Sequence, residues 1–146
     1  MRISARGEYA ITAVLDLALH RDRGLVPIQA VAARHGIPQR YLEQVLLSLK
    51  RAGLLTSKRG SSGGYHLTRA PEELTVGEVL RAAEGSDAPF TSLGATRRNG
   101  DEDHDLAALG DEIAEAVSRV VDRLTFGELA ARVQERRSAA RPMYYI

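Results

Sequence analysis

One stretch restricts the possible fold of this chain more than any other: residues 54–68, LLTSKRGSSGGYHLT. A loop rich in glycine and serine lies between two short strand-like runs, LLTSK and GYHLT, and so reads as a β-hairpin. As a nucleotide-binding loop it fails. The Lys-Ser/Thr pair of a P-loop is missing, and the spacing is not G-x-G-x-x-G. Both nucleotide motifs also lead from a strand into a helix, whose N-terminus binds the phosphate, and here a strand follows. As a linker it fails too, because GYHLT returns to a strand pattern. What remains is a hairpin tip with two cations, Lys58 and Arg59, at its start and three glycines, Gly60, Gly63 and Gly64, that allow close backbone approach.

Helical patterns surround the hairpin. Tyr9, Ala10, Ala13, Val14, Leu17 and Ala18 recur at helical spacing in residues 8–20. Residues 26–36, VPIQAVAARHG, predict a short second helix with Pro27 near its start and Gly36 as its stop. Residues 37–53 predict a third, with Leu42, Val45, Leu46 and Leu49 as its core stripe. The intervening RHGIPQR is a tight turn: Gly36 supplies a positive backbone dihedral and Pro38 pre-sets the next helical turn. After the hairpin, Thr75 and Glu78 form a capping box for a helix running to Gly85. Two short helices, a tight turn and a hairpin behind them are the parts of a winged helix-turn-helix. The expected class is therefore mainly α, a winged helix-turn-helix with a two-stranded β wing and a long C-terminal dimerisation helix.

The carboxyl-terminal half is organised differently. Residues 86–103 lack periodicity, are rich in turn formers and read as a mobile loop. From 104 to 124 an apolar face of Leu106, Leu109, Ile113, Val117, Val120, Val121 and Leu124 persists through several turns. Thr125 and Glu128 then make a second capping box. The first four helices and the hairpin are expected to close a small core by themselves, which leaves the long stripe with apolar surface to bury. A symmetric partner is the commonest way to bury it, so Leu106, Leu109, Ile113, Val117, Val120 and Leu124 are the candidate dimer contacts. The expected division is a DNA-binding unit at 1–85, an effector-type loop at 86–103, dimerisation helices at 104–138 and a tail at 139–146.

Charge separates the halves. Residues 1–70 carry 11 Lys and Arg against 4 Asp and Glu, a balance of +7; residues 71–146 carry 9 against 15, a balance of −6. A basic amino-terminal half fits a module that meets phosphates. The absence of cysteine from all 146 residues excludes disulfides, thiol catalysis and thiolate-held metals. No apolar run could span a bilayer and no apolar leader follows the start, so the chain is read as cytoplasmic, without a membrane partner.

With the apolar stripe of the third helix turned inward, a step of about 100° per residue turns Arg40, Gln44 and Arg51 outward, with Glu43 and Ser48 flanking them. Gln39, Arg40, Tyr41, Glu43 and Gln44 thus cluster at the helix start, where recognition helices meet the major groove. Arg pairs with guanine, Gln with adenine, and a carboxylate accepts from cytosine. On the hairpin, Lys58, Arg59, Gly60 and Ser61 would form a tip small enough for a minor groove, where an Arg finds enhanced negative potential. No nucleophile–base pair is visible, and no enzymatic activity is expected.

These residues carry a resemblance. MRISARGEYAITAVLDLALH, IPQRYLEQVLLSLKRAGLLTSKRGSSGGYHL and LTVGEVLRAAEG are similar to the Rrf2 family of bacterial transcription regulators, at least over residues 1–85 and more loosely to about 132. The resemblance implies a homodimer on a palindromic double-stranded operator. In it PQRYLEQ is the recognition segment, KRGSSGG the wing, and a long helix crosses the dimer. Well-known members sense through an iron–sulfur cluster held by three cysteines in the loop before that helix. This chain has none of them, and only His104 stands near where a histidine ligand would lie. It therefore resembles cysteine-free relatives such as regulators of cysteine metabolism, with no cofactor and with a small molecule or partner protein as effector. Two alternatives stay open: a protein-interaction module, and a metal-responsive regulator using the acidic run Asp101, Glu102, Asp103, His104 and Asp105. Carboxylates before a helix also complement its dipole without any metal.

Overall fold

The computed structural model describes residues 3–84 and 101–140, apart from the side chains of residues 101–103. Helix α1 (Ala5–Leu19) begins at the cap formed by Ser4, whose hydroxyl accepts a hydrogen bond from the Gly7 N–H. It starts three residues earlier than apolar periodicity alone suggests. Its stripe of Ala10, Ala13, Val14 and Leu17 is fully buried, and around this central helix pack α2 (Ile28–His35), α3 (Gln39–Arg51), α4 (Val76–Glu84) and α6 (Phe126–Ala139). The expected stripe of α3, Leu42, Val45, Leu46 and Leu49, is 0–1% exposed. Each such side chain contributes about 1.5–3 kcal/mol, as an upper value, so this face holds α3 firmly against α1.

The turn between α2 and α3 forms as its sequence requires. Gly36 caps α2 in the left-handed region at φ 63°, and the Ile37 N–H closes onto the Ala32 carbonyl at 3.1 Å. Pro38 occupies the cap position of α3. Beyond α3, strands β1 (Leu55–Lys58) and β2 (Gly64–Leu67) pair antiparallel, with Leu55 opposite Leu67 and Lys58 opposite Gly64.

Three features depart from the expectations. The hairpin gains a third participant: Val26 and Tyr65 exchange both backbone hydrogen bonds at 2.9 Å. Gly64 permits this approach, since a Cβ there would lie 2.5 Å from the Val26 carbonyl.

The second departure is a correction. The first four helices and the hairpin do not close the core alone, because Phe126, the first residue of α6, is 0% exposed within it. A backbone bridge brings Phe126 there. The Val76 N–H donates to the Leu124 carbonyl and the Phe126 N–H to the Leu74 carbonyl, each at 2.9 Å. The bridge seats the two capping boxes side by side. In the first, Thr75 and Glu78 satisfy each other's backbone N–H groups; in the second, the Thr125 hydroxyl accepts from the Glu128 N–H.

Third, α5 spans Asp101–Val121, so residues 101–103 belong to a helix and not to the loop expected over 86–103. An acidic first turn complements the positive end of the helix. Residues 85–100 and the tail 141–146 lie outside the described residues, and so does the expected mobility of the loop.

Candidate nucleic-acid interface

The amino-terminal end of α3 carries the candidate base-reading side chains in two groups. Gln39, Arg40, Glu43 and Gln44 are exposed, whereas Tyr41 is half-buried and meets the Tyr9 ring edge-on at 5.4 Å between centroids. Tyr41 therefore also serves as a packing contact between α1 and α3. Arg40, Tyr41 and Gln44 line an open cleft of about 540 Å³ together with Ala5, Tyr9 and Pro38. Glu43 lies toward the hairpin. Burial raises the Tyr65 phenol above its ordinary pKa, and the negative charge of Glu43 adds to the effect.

Lys58, Arg59, Gly60 and Ser61 are all exposed at the hairpin tip. The tip is compact because the Gly63 N–H bonds the Gly60 carbonyl at 3.0 Å, and a Cβ on Gly63 would fall 2.0 Å from the Lys58 carbonyl oxygen. The hairpin is also tied to α3: the Lys50 ammonium donates to the Ser57 hydroxyl at 2.7 Å. Helix α3 and the hairpin are thus joined at the last turn of α3. Their exposed cations, Arg40, Arg51, Lys58 and Arg59, make no salt bridge among the described residues.

An ionic cluster centred on the buried Asp16 escaped the periodic reading. Asp16, 2% exposed in the middle of α1, accepts two hydrogen bonds from the Arg34 guanidinium of α2, at 3.1 and 2.7 Å. His20 Nδ1 and His35 Nε2 stand 3.1 and 3.5 Å from the same carboxylate. Burial pushes the carboxyl up; Arg34, by hydrogen bonding and charge, with the two histidines, outweighs it and holds Asp16 below the usual carboxylate range. The sequence did hold a signal: a carboxylate inside an apolar stripe, with a histidine four residues on. His20 and His35 are structural residues of this cluster.

The candidate dimer stripe on α5 divides in two. Leu106, Leu109 and Val120 are exposed at 37%, 45% and 54%. Ile113 is half-buried, and Val117 and Leu124 rest against this chain's own core with Ala114 and Val121. Asp122, the residue after α5, is clamped to α4 by Arg81, which donates to both of its carboxylate oxygens at 2.6 and 2.9 Å. Gly77 makes room, as a Cβ there would lie 2.0 Å from Asp122 Oδ1.

His104 and Asp105 are exposed in the first turns of α5, and among the described residues no three His, Asp or Glu side chains converge as a metal-holding group. A thiolate-held iron–sulfur cluster does not fit a chain without cysteine. No helix among the described residues is long and apolar enough to cross a membrane.

Comparison with known proteins places this geometry. The family model described as "Rrf2: Iron-dependent Transcriptional regulator" matches residues 3–132. The HTH-type transcriptional regulator IscR of Aliivibrio salmonicida is 36% identical over 135 residues, covering 88% of this chain and 77% of the relative. An HTH-type regulator of Synechocystis sp., slr0846, is 42% identical over 94 residues, 64% of each chain. Among solved structures, CymR, the global cysteine regulator of B. subtilis, superposes with a TM-score of 0.75 at 30% identity, covering 90% of this chain and 98% of the other. IscR of T. potens gives the same TM-score at 28% identity, covering 99% and 95%. These relatives are transcription regulators and not enzymes, and their fold has a winged helix at its centre. With a helix-turn-helix and hairpin of that fold and a family match over nearly its whole length, this chain belongs to the Rrf2 family of transcriptional regulators.

Proposed function

We propose that this Rrf2-family chain is a homodimeric repressor that reads a palindromic operator and responds to a small molecule or a partner protein, without an iron–sulfur cluster. One observation carries the DNA reading. The start of α3 and the tip of the wing both present exposed polar and cationic side chains, and the last turn of α3 is bonded to the first strand of the hairpin through Lys50 and Ser57. In this reading Arg40 and Gln44 address base edges in the major groove, and Gln39 and Glu43 add contacts at its rim. Lys58 and Arg59 enter or border the adjacent minor groove, while Gly60 and Ser61 keep the tip slim.

The exposed Leu106, Leu109 and Val120 support the dimer, in which Ile113, Val117 and Leu124 extend the same stripe toward the core. Two copies would set two reading helices about one DNA turn apart. The missing thiolates support a signal other than a cluster.

Capture of genomic fragments by the purified protein, followed by affinity measurement on the strongest fragment, tests this. Arg59→Ala should weaken binding to all duplexes. Gln44→Ala should change which base is preferred at one position of each half-site, at about 1–3 kcal/mol. If both variants bind like the parent chain, α3 and the wing are not the reading surface.

A further inference from the structure

Besides the Lys50–Ser57 bond, helix α3 has a second polar tie, which uses none of the side chains expected to contact DNA. Arg6, half-buried in the first turn of α1, donates from Nε to the carbonyl oxygen of Ala83 at 2.6 Å and from Nη2 to the hydroxyl of Ser48. Ala83 is in the last turn of α4, where helix carbonyls lack intrahelical partners and a cation is favoured by the dipole. Ser48 is on α3, and its own hydroxyl hydrogen goes to the Gln44 carbonyl at 3.3 Å. A second contact closes the junction. Ser4, the cap of α1, donates to the Glu84 carboxylate while accepting from the Gly7 N–H. Arg81, also in the last turn of α4, forks onto Asp122, the residue after α5.

Resting on the DNA-reading function above, we propose that Arg6 is a positioning residue, which sets the seat of the recognition helix according to where the last turn of α4 lies. The chemistry favours this over a simple surface bond. The guanidinium has rigid, divergent donors, so one planar group satisfies an α4 carbonyl and an α3 hydroxyl together. A shift of α4 relative to α1 cannot keep both bonds. The bond most directly exposed to the loss is that to Ser48, one helical turn from Gln44. A displacement of α5 acts on the same point, because Asp122, which directly follows its last residue, passes it to Arg81 and thus to α4. Arg6 touches neither DNA nor effector in this account. It converts the position of the α4–α5 pair into the orientation of α3.

The test is a double-mutant cycle of Arg6→Met and Ser48→Ala, read on the captured operator fragment and on a random duplex of equal length. Each single variant should lower operator affinity by about five-fold, and the double variant should be no worse than either. Random-duplex binding and melting temperature should stay near those of the parent chain. Losses that multiply in the double variant, losses equal on both duplexes, or no loss would overturn the assignment. A second measurement separates this idea from the function it rests on. Amide hydrogen exchange in the DNA-free protein should become faster at residues 44–48 in Glu84→Gln, and unchanged exchange there would overturn the coupling even if operator binding is confirmed. Should the chain show no operator preference at all, the DNA-reading function fails while faster exchange would still establish the junction.

Discussion

Replacing Asp16 by alanine should destabilise the protein by about 2–4 kcal/mol, for reasons that can be worked through atom by atom. The carboxylate is 2% exposed and holds the Arg34 guanidinium through two hydrogen bonds, while His20 and His35 stand against the same oxygens. Breaking a fully buried ion pair costs about 3–5 kcal/mol, because the surviving charge is stranded. Arg34 is 38% exposed, so water can reach the guanidinium once its partner is gone, and the expected loss sits toward and below the lower end of that range. The double variant with Arg34→Ala should therefore cost less than the two single losses together, by about 1–2 kcal/mol.

Urea unfolding with unchanged m-values is the assay. The pH dependence provides a second readout. The folded pKa of Asp16 lies below its unfolded value, so its contribution is present above about pH 4 and is lost as pH falls through the lower folded pKa. In Asp16→Asn that acid-side loss should shrink. Strict additivity with Arg34→Ala, or a cost under about 0.5 kcal/mol for Asp16→Ala, would refute the claim that this cluster fastens α2 to α1.

Three further outcomes are expected. Phe126→Ala should cost about 3–5 kcal/mol in urea unfolding, as for other buried aromatics, because it empties a site inside the core; a surface-like loss under about 1 kcal/mol would mean that α6 is not part of it. Gly63→Ala should distort the wing, whose Lys58 carbonyl stands 2.0 Å from the new Cβ, and weaken DNA binding while the helical circular dichroism spectrum is retained. Leu109→Asp places a charge on an exposed residue of α5, so it should leave the monomer folded and shift sedimentation toward the monomer if α5 forms the dimer.

Much of the fold of the candidate surface was legible in the sequence because it depends on local rules. Gly36 and Pro38 dictate the turn, the period of Leu42, Val45, Leu46 and Leu49 dictates which side of α3 faces out, and the glycines of the wing dictate a tight tip. What escaped depends on contacts between residues far apart in the chain. Phe126 looks like the first residue of a surface helix until the backbone bridge between 74–76 and 124–126 delivers it to the core. Ser48 looks like an exposed flank residue until Arg6, 42 positions earlier, reaches it. Asp16 violates the apolar stripe of α1, but its partner on α2 is invisible to periodicity. Likewise Val117 and Leu124 share one stripe with Leu109 in the sequence, and only packing divides those that rest on the chain's own core from those left open. The acidic start of α5 read as loop because Asp and Glu suit turns and first helical turns alike.

The central claim is that α3 and the wing read DNA, and the salt dependence of binding tests it most directly. Affinity for the captured fragment and for a random duplex should be measured between about 50 and 200 mM salt, where counterion release makes phosphate-contacting proteins lose affinity steeply. A log–log slope of several units is expected for the parent chain, becoming shallower by about one unit in Arg59→Ala. The captured fragment should remain at least about a thousand-fold tighter than the random duplex throughout. A flat salt response with no preference between the two duplexes would contradict the account.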